Sequence, residues 1–185
     1  MDGRARCAWC LKDQLYRDYH DKEWGVPSHS DQHLFEKLIL ETFQAGLSWY
    51  TILKKRENFR KALDGFDAVK MSQYKEDKVD ELMQNAGIIR YRAKILAAIN
   101  NAQRFLEVQK EFGTFDKFIW KFTDHKTIVN NMQSVENFVA NTKESDAMCK
   151  ELKKRGFKFV GSTTCYAYMQ GVGMVNDHMN NCWKK

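Results

Sequence analysis

Proline is almost missing from this chain of 185 residues, which holds Pro27 and no other. Glycine is sparse as well, at ten residues. Both shortages argue against disordered linkers and against a β fold built on tight turns. No apolar/polar alternation runs far enough to make a half-buried strand, so the expected fold class is all-α. No apolar run nears the roughly 18 residues that cross a bilayer, and no membrane partner is expected. The opening Met1-Asp2-Gly3-Arg4-Ala5-Arg6 lacks the apolar core of a secretory signal. Five cysteines in such a chain read as free thiols or metal ligands rather than disulfides. The expected compartment is therefore the cytoplasm, or a nucleus where there is one.

What the chain does hold is aromatic mass and charge of both signs. Aromatic residues make up 13%, five of them tryptophan, and the net charge is +6, a surplus that suits a polyanionic partner. The length allows one large domain or two small helical lobes around a core. Residues 1–27 read as irregular yet carry Cys7, Trp9, Cys10, Tyr16, Tyr19, His20, Glu23 and Trp24, a load that connecting segments seldom bear unless packed against something. Ser30 or Asp31 is placed to cap a helix running to about residue 45. Further helices are expected at 49–63, 76–84, about 91–111, 115–122, 145–154 and 163–172, with a strand as an alternative for 157–160. Residues 123–143, rich in Asn, Thr and Gln, read as an exposed excursion.

The chain is organised around Leu38-Ile39-Leu40-Glu41-Thr42-Phe43-Gln44-Ala45-Gly46-Leu47-Ser48-Trp49. At helical pitch Leu34, Leu38, Glu41 and Ala45 share a face, which puts Glu41 at the edge of the apolar stripe and Lys37 and Gln44 on the solvated side. Gly46 ends the helix and Ser48 caps the next one, beginning at Trp49. A carboxylate, a glycine turn and an indole thus meet at one corner, as a lined pocket requires; the plainer alternative makes Glu41 an ordinary surface acid.

Two further patterns carry chemistry. Residues 82–94 read as two helices joined by a tight turn at Gly87, whose amide and the following helix start would face a phosphate, with Arg90, Arg92 and Lys94 adding charge. An ordinary helical hairpin with a basic edge fits the same pattern. His178 and Cys182 stand at i and i+4, on one helical face. Joined to cysteines near the N-terminus they would form a four-ligand zinc set, and spacing alone selects Cys7, Cys10, His178 and Cys182. Unmetallated side chains are the alternative. Cys149 and Cys165 read as core thiols.

These residues also resemble a known family. Arg6-Cys7-x-Trp9, Tyr19-His20-Asp21-x-Glu23-Trp24-Gly25-Val26-Pro27, Gln44-Ala45-Gly46-Leu47-Ser48-Trp49, Leu53-Lys54-Lys55-Arg56-Glu57, Ala86-Gly87-Ile88-Ile89-Arg90, the run from Leu152 through Lys153-Lys154-Arg155-Gly156-Phe157-Lys158-Phe159-Val160 to Gly161, and Val175-Asn176-Asp177-His178 resemble the blocks of the 3-methyladenine DNA glycosylase I family in order and spacing, across residues 6–182. The resemblance implies a single all-α domain of the helix–hairpin–helix DNA glycosylase kind over 1–185. Its pocket would lie near residues 7–49, its hairpin near 82–94, and a zinc site would tie the terminal segments.

The implied activity is monofunctional hydrolysis of the N-glycosidic bond of 3-methyladenine flipped from alkylated duplex DNA, with the free base as product; nothing in the sequence suggests more than a monomer. Glu41 would recognise the base and act on catalysis only through its charge, while Tyr19, Trp49, Trp9, Tyr16 and Trp24 form the walls. Gly46 and Leu47 would supply the wedge, with Gly87, Arg90 and Lys94 on the DNA backbone. The zinc ligands implied by the family are Cys7, His20, His178 and Cys182, which replaces Cys10 by His20. The residues after the hairpin, Asn100 and Asn101, offer no carboxylate to activate water, and no lysine stands as a nucleophile. A zinc-stabilised DNA-binding module without catalysis, and an enzyme acting on free purine, are the competing expectations.

Overall fold

The computed structural model describes residues 3–185, so Met1 and Asp2 of the opening stretch lie outside the described residues. The helices are α1 (Gln14–Lys22), α2 (Asp31–Gln44), α3 (Trp49–Ala62), α4 (Ala68–Ser72), α5 (Glu76–Gln84), α6 (Arg92–Phe112), α7 (Phe115–Trp120), α8 (Lys143–Lys154) and α9 (Ser162–Gly171). The only strands among the described residues are β1 (Ile128–Val129) and β2 (Val175–Asn176), which pair in parallel. The all-α expectation holds, and no strand forms at 157–160.

Local chemistry explains where the central helices begin and end. Ser30 Oγ accepts from the His33 amide to start α2, and Ser48 Oγ accepts from the Thr51 amide to start α3. Between them Gly46 has φ +78°, the left-handed region that spares glycine any side-chain clash. The last carbonyls of α2 are met from a distance. Lys94 Nζ, from α6, donates to Phe43 O at 2.8 Å and Ala45 O at 2.5 Å.

Helix α2 is the core of the domain. It touches α3, α6, α7 and α9, and every residue from 34 to 43 is buried. That corrects the one-sided picture of this helix, because Lys37 is 1% exposed rather than solvated. A helix enclosed on all sides has no polar face on which to place a lysine. Around α2 gathers a large apolar cluster including Phe35, Phe43, Phe59, Phe105, Phe115, Phe118 and Trp120.

The first 27 residues are more regular than their composition implies. A 3₁₀ turn covers Ala8–Lys12, and Asp13 caps α1 by accepting from the Tyr16 amide at 2.9 Å. The excursion at 123–143 is also pinned in part, since β1 pairs with β2 and Met132 is buried. Gly173 joins these distant pieces. A Cβ built there would lie 2.2 Å from the backbone of Val26 and Pro27, so only glycine permits the approach. Beside it Gly25 N–H donates to Gln170 O and Ser28 N–H to Val172 O, which locks Trp24 against the end of α9.

Candidate functional site

A cavity of about 220 Å³ opens where α1, α2, α3 and α9 converge. Five of its six aromatic lining residues, Trp9, Tyr16, Tyr19, Trp24 and Trp49, are the rings named from the sequence. Tyr16 and Tyr19, three residues apart on α1, face the cavity together. Trp9 meets Tyr16 edge-on at 4.8 Å and Trp24 at 5.0 Å, and Tyr19 lies 5.2 Å from Trp49.

Glu41 lines the same cavity at 3% exposure, and among the described residues no donor reaches its carboxylate. Burial pushes its pKa up to about 8, with Lys37 pulling the other way. Gln44 Oε1 and Trp49 Nε1, on two further lining residues, are likewise buried without a partner. The arrangement is a set of rings around unspent hydrogen-bonding atoms. It suits a flat aromatic ligand that carries donors and, on an ionised Glu41, positive charge.

Several lining residues escaped the sequence reading. Ala167 and Gln170 stand one turn apart on α9, and Phe138 arrives from the segment taken as an exposed excursion. Gly171 lies close behind them, where an added Cβ would make ordinary van der Waals contact with the Tyr19 hydroxyl at 3.5 Å and Glu41 Oε1 at 3.9 Å. No local pattern announces these four. Lys37 is the larger surprise. Its Nζ lies 3.3 Å from Glu23 Oε2 and over the rings of Tyr19 (4.4 Å) and Trp49 (4.7 Å). Glu23 is also gripped by Arg56 Nη1 at 2.6 and 2.8 Å.

The four side chains Cys7, His20, His178 and Cys182 come together with their ligand atoms within 4.8 Å of one another. Cys10 does not join them, because its Sγ donates to Cys7 O at 3.1 Å. The structure thus gathers the resemblance's set and not the one chosen by spacing. Four of the six edges are 3.1 Å from His178 Nδ1 to His20 Nε2, 3.4 Å from Cys182 Sγ to His20 Nε2, and 3.5 and 3.8 Å from His178 Nδ1 to Cys182 and Cys7. A tetrahedral ion with Zn–N of about 2.0 Å and Zn–S of about 2.3 Å needs edges of roughly 3.3–3.8 Å. The set fits.

The surroundings of these four fit as well. His20 Nδ1 is 2.8 Å from Asp21, whose carboxylate Arg6 holds on its other side, and His178 Nε2 faces Trp24 O at 3.0 Å. Those partners keep the facing nitrogens free as ligands. The amides of Met179 and Lys184 point at the two sulfurs. Without an ion, burial pushes the Cys7 thiol up to about 12 and the His178 imidazole down to about 4. The segment carrying His178 and Cys182 is not helical, so they meet through turns and not along a shared helix face.

The DNA-facing residues named from the sequence divide. Leu47 is 40% exposed at the tip of the Gly46 turn, which borders a second hollow of about 320 Å³ lined also by Glu41, Gln44, Thr163 and Thr164. Gly87 does not offer its amide outward. Asn85 Oδ1 accepts that N–H at 2.8 Å, and Lys55 Nζ and Asn58 Nδ2 donate to the Gly87 carbonyl. Lys94 is 5% exposed and committed to α2, so its assignment to the backbone is corrected. Arg92 pairs with Asp80 and Glu76, while Arg90 is exposed.

Set beside known proteins, the chain matches the family model described as Methyladenine glycosylase over residues 9–185. It is 49% identical over 178 residues to the DNA-3-methyladenine glycosylase of Haemophilus influenzae, covering 96% of each chain. A crystal structure of 3-methyladenine DNA glycosylase I superposes with a TM-score of 0.94 at 47% identity, over 97% of this chain and 98% of that one. A Staphylococcus aureus 3-methyladenine DNA glycosylase I, solved for the structural basis of 3-methyladenine recognition, gives 0.94 at 34% identity over 97% and 96%.

Proposed function

Because this chain belongs to the methyladenine glycosylase family, we propose that it removes 3-methyladenine from alkylated duplex DNA as a monofunctional N-glycosyl hydrolase. The observation that carries the proposal is Glu41, an enclosed carboxylate with no donor among the described residues, lining the same cavity as Tyr19 and Trp49. A flipped base fits this cavity and its stacking on the rings returns part of the few kcal/mol spent on unstacking. N3-methylation leaves the nucleotide's purine positively charged, which rewards both the ring faces and an anionic Glu41.

The chemistry asks little acid help. When the bond between the sugar C1′ and N9 breaks, its electron pair passes to a base that was cationic and leaves neutral. Water adds to C1′ and loses a proton to solvent. Tight binding of the base in its departing form supplies the rate, so Glu41 contributes through charge and hydrogen bonding. Leu47 at the Gly46 turn is the wedge for the vacated stack, and exposed Arg90 at the α5–α6 turn supplies charge toward the backbone, in the manner of a helix–hairpin–helix.

One structural zinc ion held by Cys7, His20, His178 and Cys182 belongs to the proposal; it fastens the terminal segments and takes no part in the reaction. The protein works as a cytoplasmic monomer in this reading; no helix of the described residues is long and apolar enough to cross a membrane.

The test is chromatographic detection of free base released from methylated duplex DNA by the purified protein. The wild type is expected to release 3-methyladenine. Glu41→Gln is expected to bind and release it more weakly, and a variant with full excision and full affinity for the base would remove Glu41 from its role.

A further inference from the structure

The second hollow, beside the Gly46 turn, is not separate from the base cavity. Glu41, Gln44 and Ala167 line both, so the two form one trench. Aromatic rings enclose one end. The other has none, and is bordered by Gly46 and Leu47 on one side and by Thr163 and Thr164 of α9 on the other. At about 320 Å³ this end is larger than the cavity among the rings. A base held by the rings is still joined through its sugar to the strand, and the ring-free end has room for sugar and phosphate.

The first turn of α9 carries no side-chain cap. Gly161 stands at the N-cap position with φ −67° and ψ 162°, extended backbone that any residue adopts. A Cβ there would meet nothing within 4 Å, so neither conformation nor space calls for glycine. Ser, Thr, Asp or Asn in its place could close the turn, as Ser30 and Ser48 do for α2 and α3. Instead the amides of Ser162, Thr163 and Thr164 donate to no atom of the described residues.

The segment that leads into this turn is firmly held. Asn101, wholly buried on α6, accepts from the Lys158 amide at 2.8 Å and donates to the Lys158 carbonyl at 3.0 Å. Its Nδ2 also reaches Thr42 Oγ1, next to Glu41, at 3.3 Å. The start of α9 is thereby fixed relative to the residue that reads the base. The inner wall of the trench calls for a polar occupant: Glu41 is 3% exposed and Gln44 Oε1 is buried, both without a partner among the described residues. Thr163 is exposed, so an anion at the helix start lies at the rim, away from that carboxylate.

We propose that the first turn of α9 binds the DNA phosphate beside the flipped nucleotide. Three free amides at the positive end of a ten-residue helix suit the anionic oxygens of a phosphodiester. With the base at one end of the trench and the phosphate at the other, the strand is gripped on both sides of the bond that breaks. Such a contact fixes orientation and reads no sequence. The inference rests on the base-pocket reading above.

The experiment crosses protein variants with DNA variants. The proteins are the wild type, Gly161→Asp, which caps the amides with a negative charge, and Thr163→Glu, an exposed first-turn acid that the helix itself favours. The probes are duplexes holding a tetrahydrofuran abasic analogue. The phosphate on one side of it, on the other, or on neither is replaced by uncharged methylphosphonate. Fluorescence anisotropy reads duplex affinity, tryptophan fluorescence reads binding of free 3-methyladenine, and thermal unfolding reads stability.

Both variants are expected to keep or raise Tm and to bind free 3-methyladenine as the wild type does. Their affinity for the fully charged duplex is expected to fall about tenfold, as loss of a charge-assisted hydrogen bond predicts. Methylphosphonate at one of the two positions weakens the wild type similarly, and on that duplex the variants' deficit disappears. Wild-type affinity of the variants for the charged duplex overturns the inference, and so does a deficit of equal size on all three duplexes. A parallel loss of free 3-methyladenine binding places the damage in the base cavity and overturns it as well. Should Gly161→Asp not fold, Thr163→Glu, at an exposed position, decides the matter alone. A wild type that releases no 3-methyladenine and holds the abasic duplex no tighter than intact DNA overturns the base-pocket reading and this inference with it.

Discussion

Lys94 offers a clean contest between the reading from pattern and the reading from geometry. By pattern it belongs to a basic hairpin and touches phosphate; by geometry it caps α2 from inside the protein. Consider Lys94→Met, which keeps the stem and removes the ammonium. Two hydrogen bonds to backbone carbonyls are lost, at 2.8 and 2.5 Å. Bonds of this charged kind contribute about 1.5–3 kcal/mol each, and losing both would cost about 3–6 kcal/mol. Relief of the burial that lowers the lysine's pKa returns part of this, and the Met side chain refills the space, so a net loss of about 2 kcal/mol is expected. For a chain of this size that is a fall of roughly 4–8 °C in Tm.

The companion measurement is affinity for duplex DNA as a function of salt. A lysine on phosphate contributes about 0.9 to the slope of log K against log salt. The capping role predicts reduced stability with an unchanged slope. Unchanged stability with a slope shallower by about 0.9 would refute the argument and return Lys94 to the DNA.

Arg90→Ala, by contrast, is expected to flatten the salt slope by about 0.9 and leave Tm alone, whereas Arg92→Ala, already paired with Asp80 and Glu76, leaves the slope unchanged. For the metal, elemental analysis is expected to find one zinc per chain in the wild type and in Cys10→Ser, and much less in His20→Ala, with a lower Tm wherever zinc is lost. Glu41 is raised from 4.5 to about 8 on folding, so the protein loses stability as pH rises through this window. Glu41→Gln is therefore expected to be more stable than wild type near pH 8 and to lose that advantage near pH 4, as denaturant titrations at both values will show.

What was legible in the sequence was chiefly what is decided locally. Ser48 caps and Gly46 turns because of their own side chains, and α5 and α6 follow apolar spacing that any window reveals. The pocket rings were legible because aromatic residues crowd the first 27 positions. Lys37 was misplaced for a physical reason: face analysis assumes one wet side, and α2 is covered all round. Lys94 was misplaced because its partners, the Phe43 and Ala45 carbonyls, lie at the end of α2, far away in sequence. Gln170, Ala167 and Phe138 reach the cavity only through the path of the chain, which periodicity does not encode. Cys10 shows the limit of spacing, since its sulfur turns back to the Cys7 carbonyl while His20 takes the place beside the other three.

The contact between the Cys/His cluster and the aromatic wall also bears on how the protein is made. Trp24 packs on His178 at 4.6 Å and Trp9 on His20 at 5.3 Å, so part of the ring wall is braced by a residue made 154 positions later. Until His178 and Cys182 emerge, that wall lacks its brace on the side of the Cys/His cluster. Nascent chains and C-terminally truncated products therefore lack the lesion-reading chamber, even where the helical core has already set.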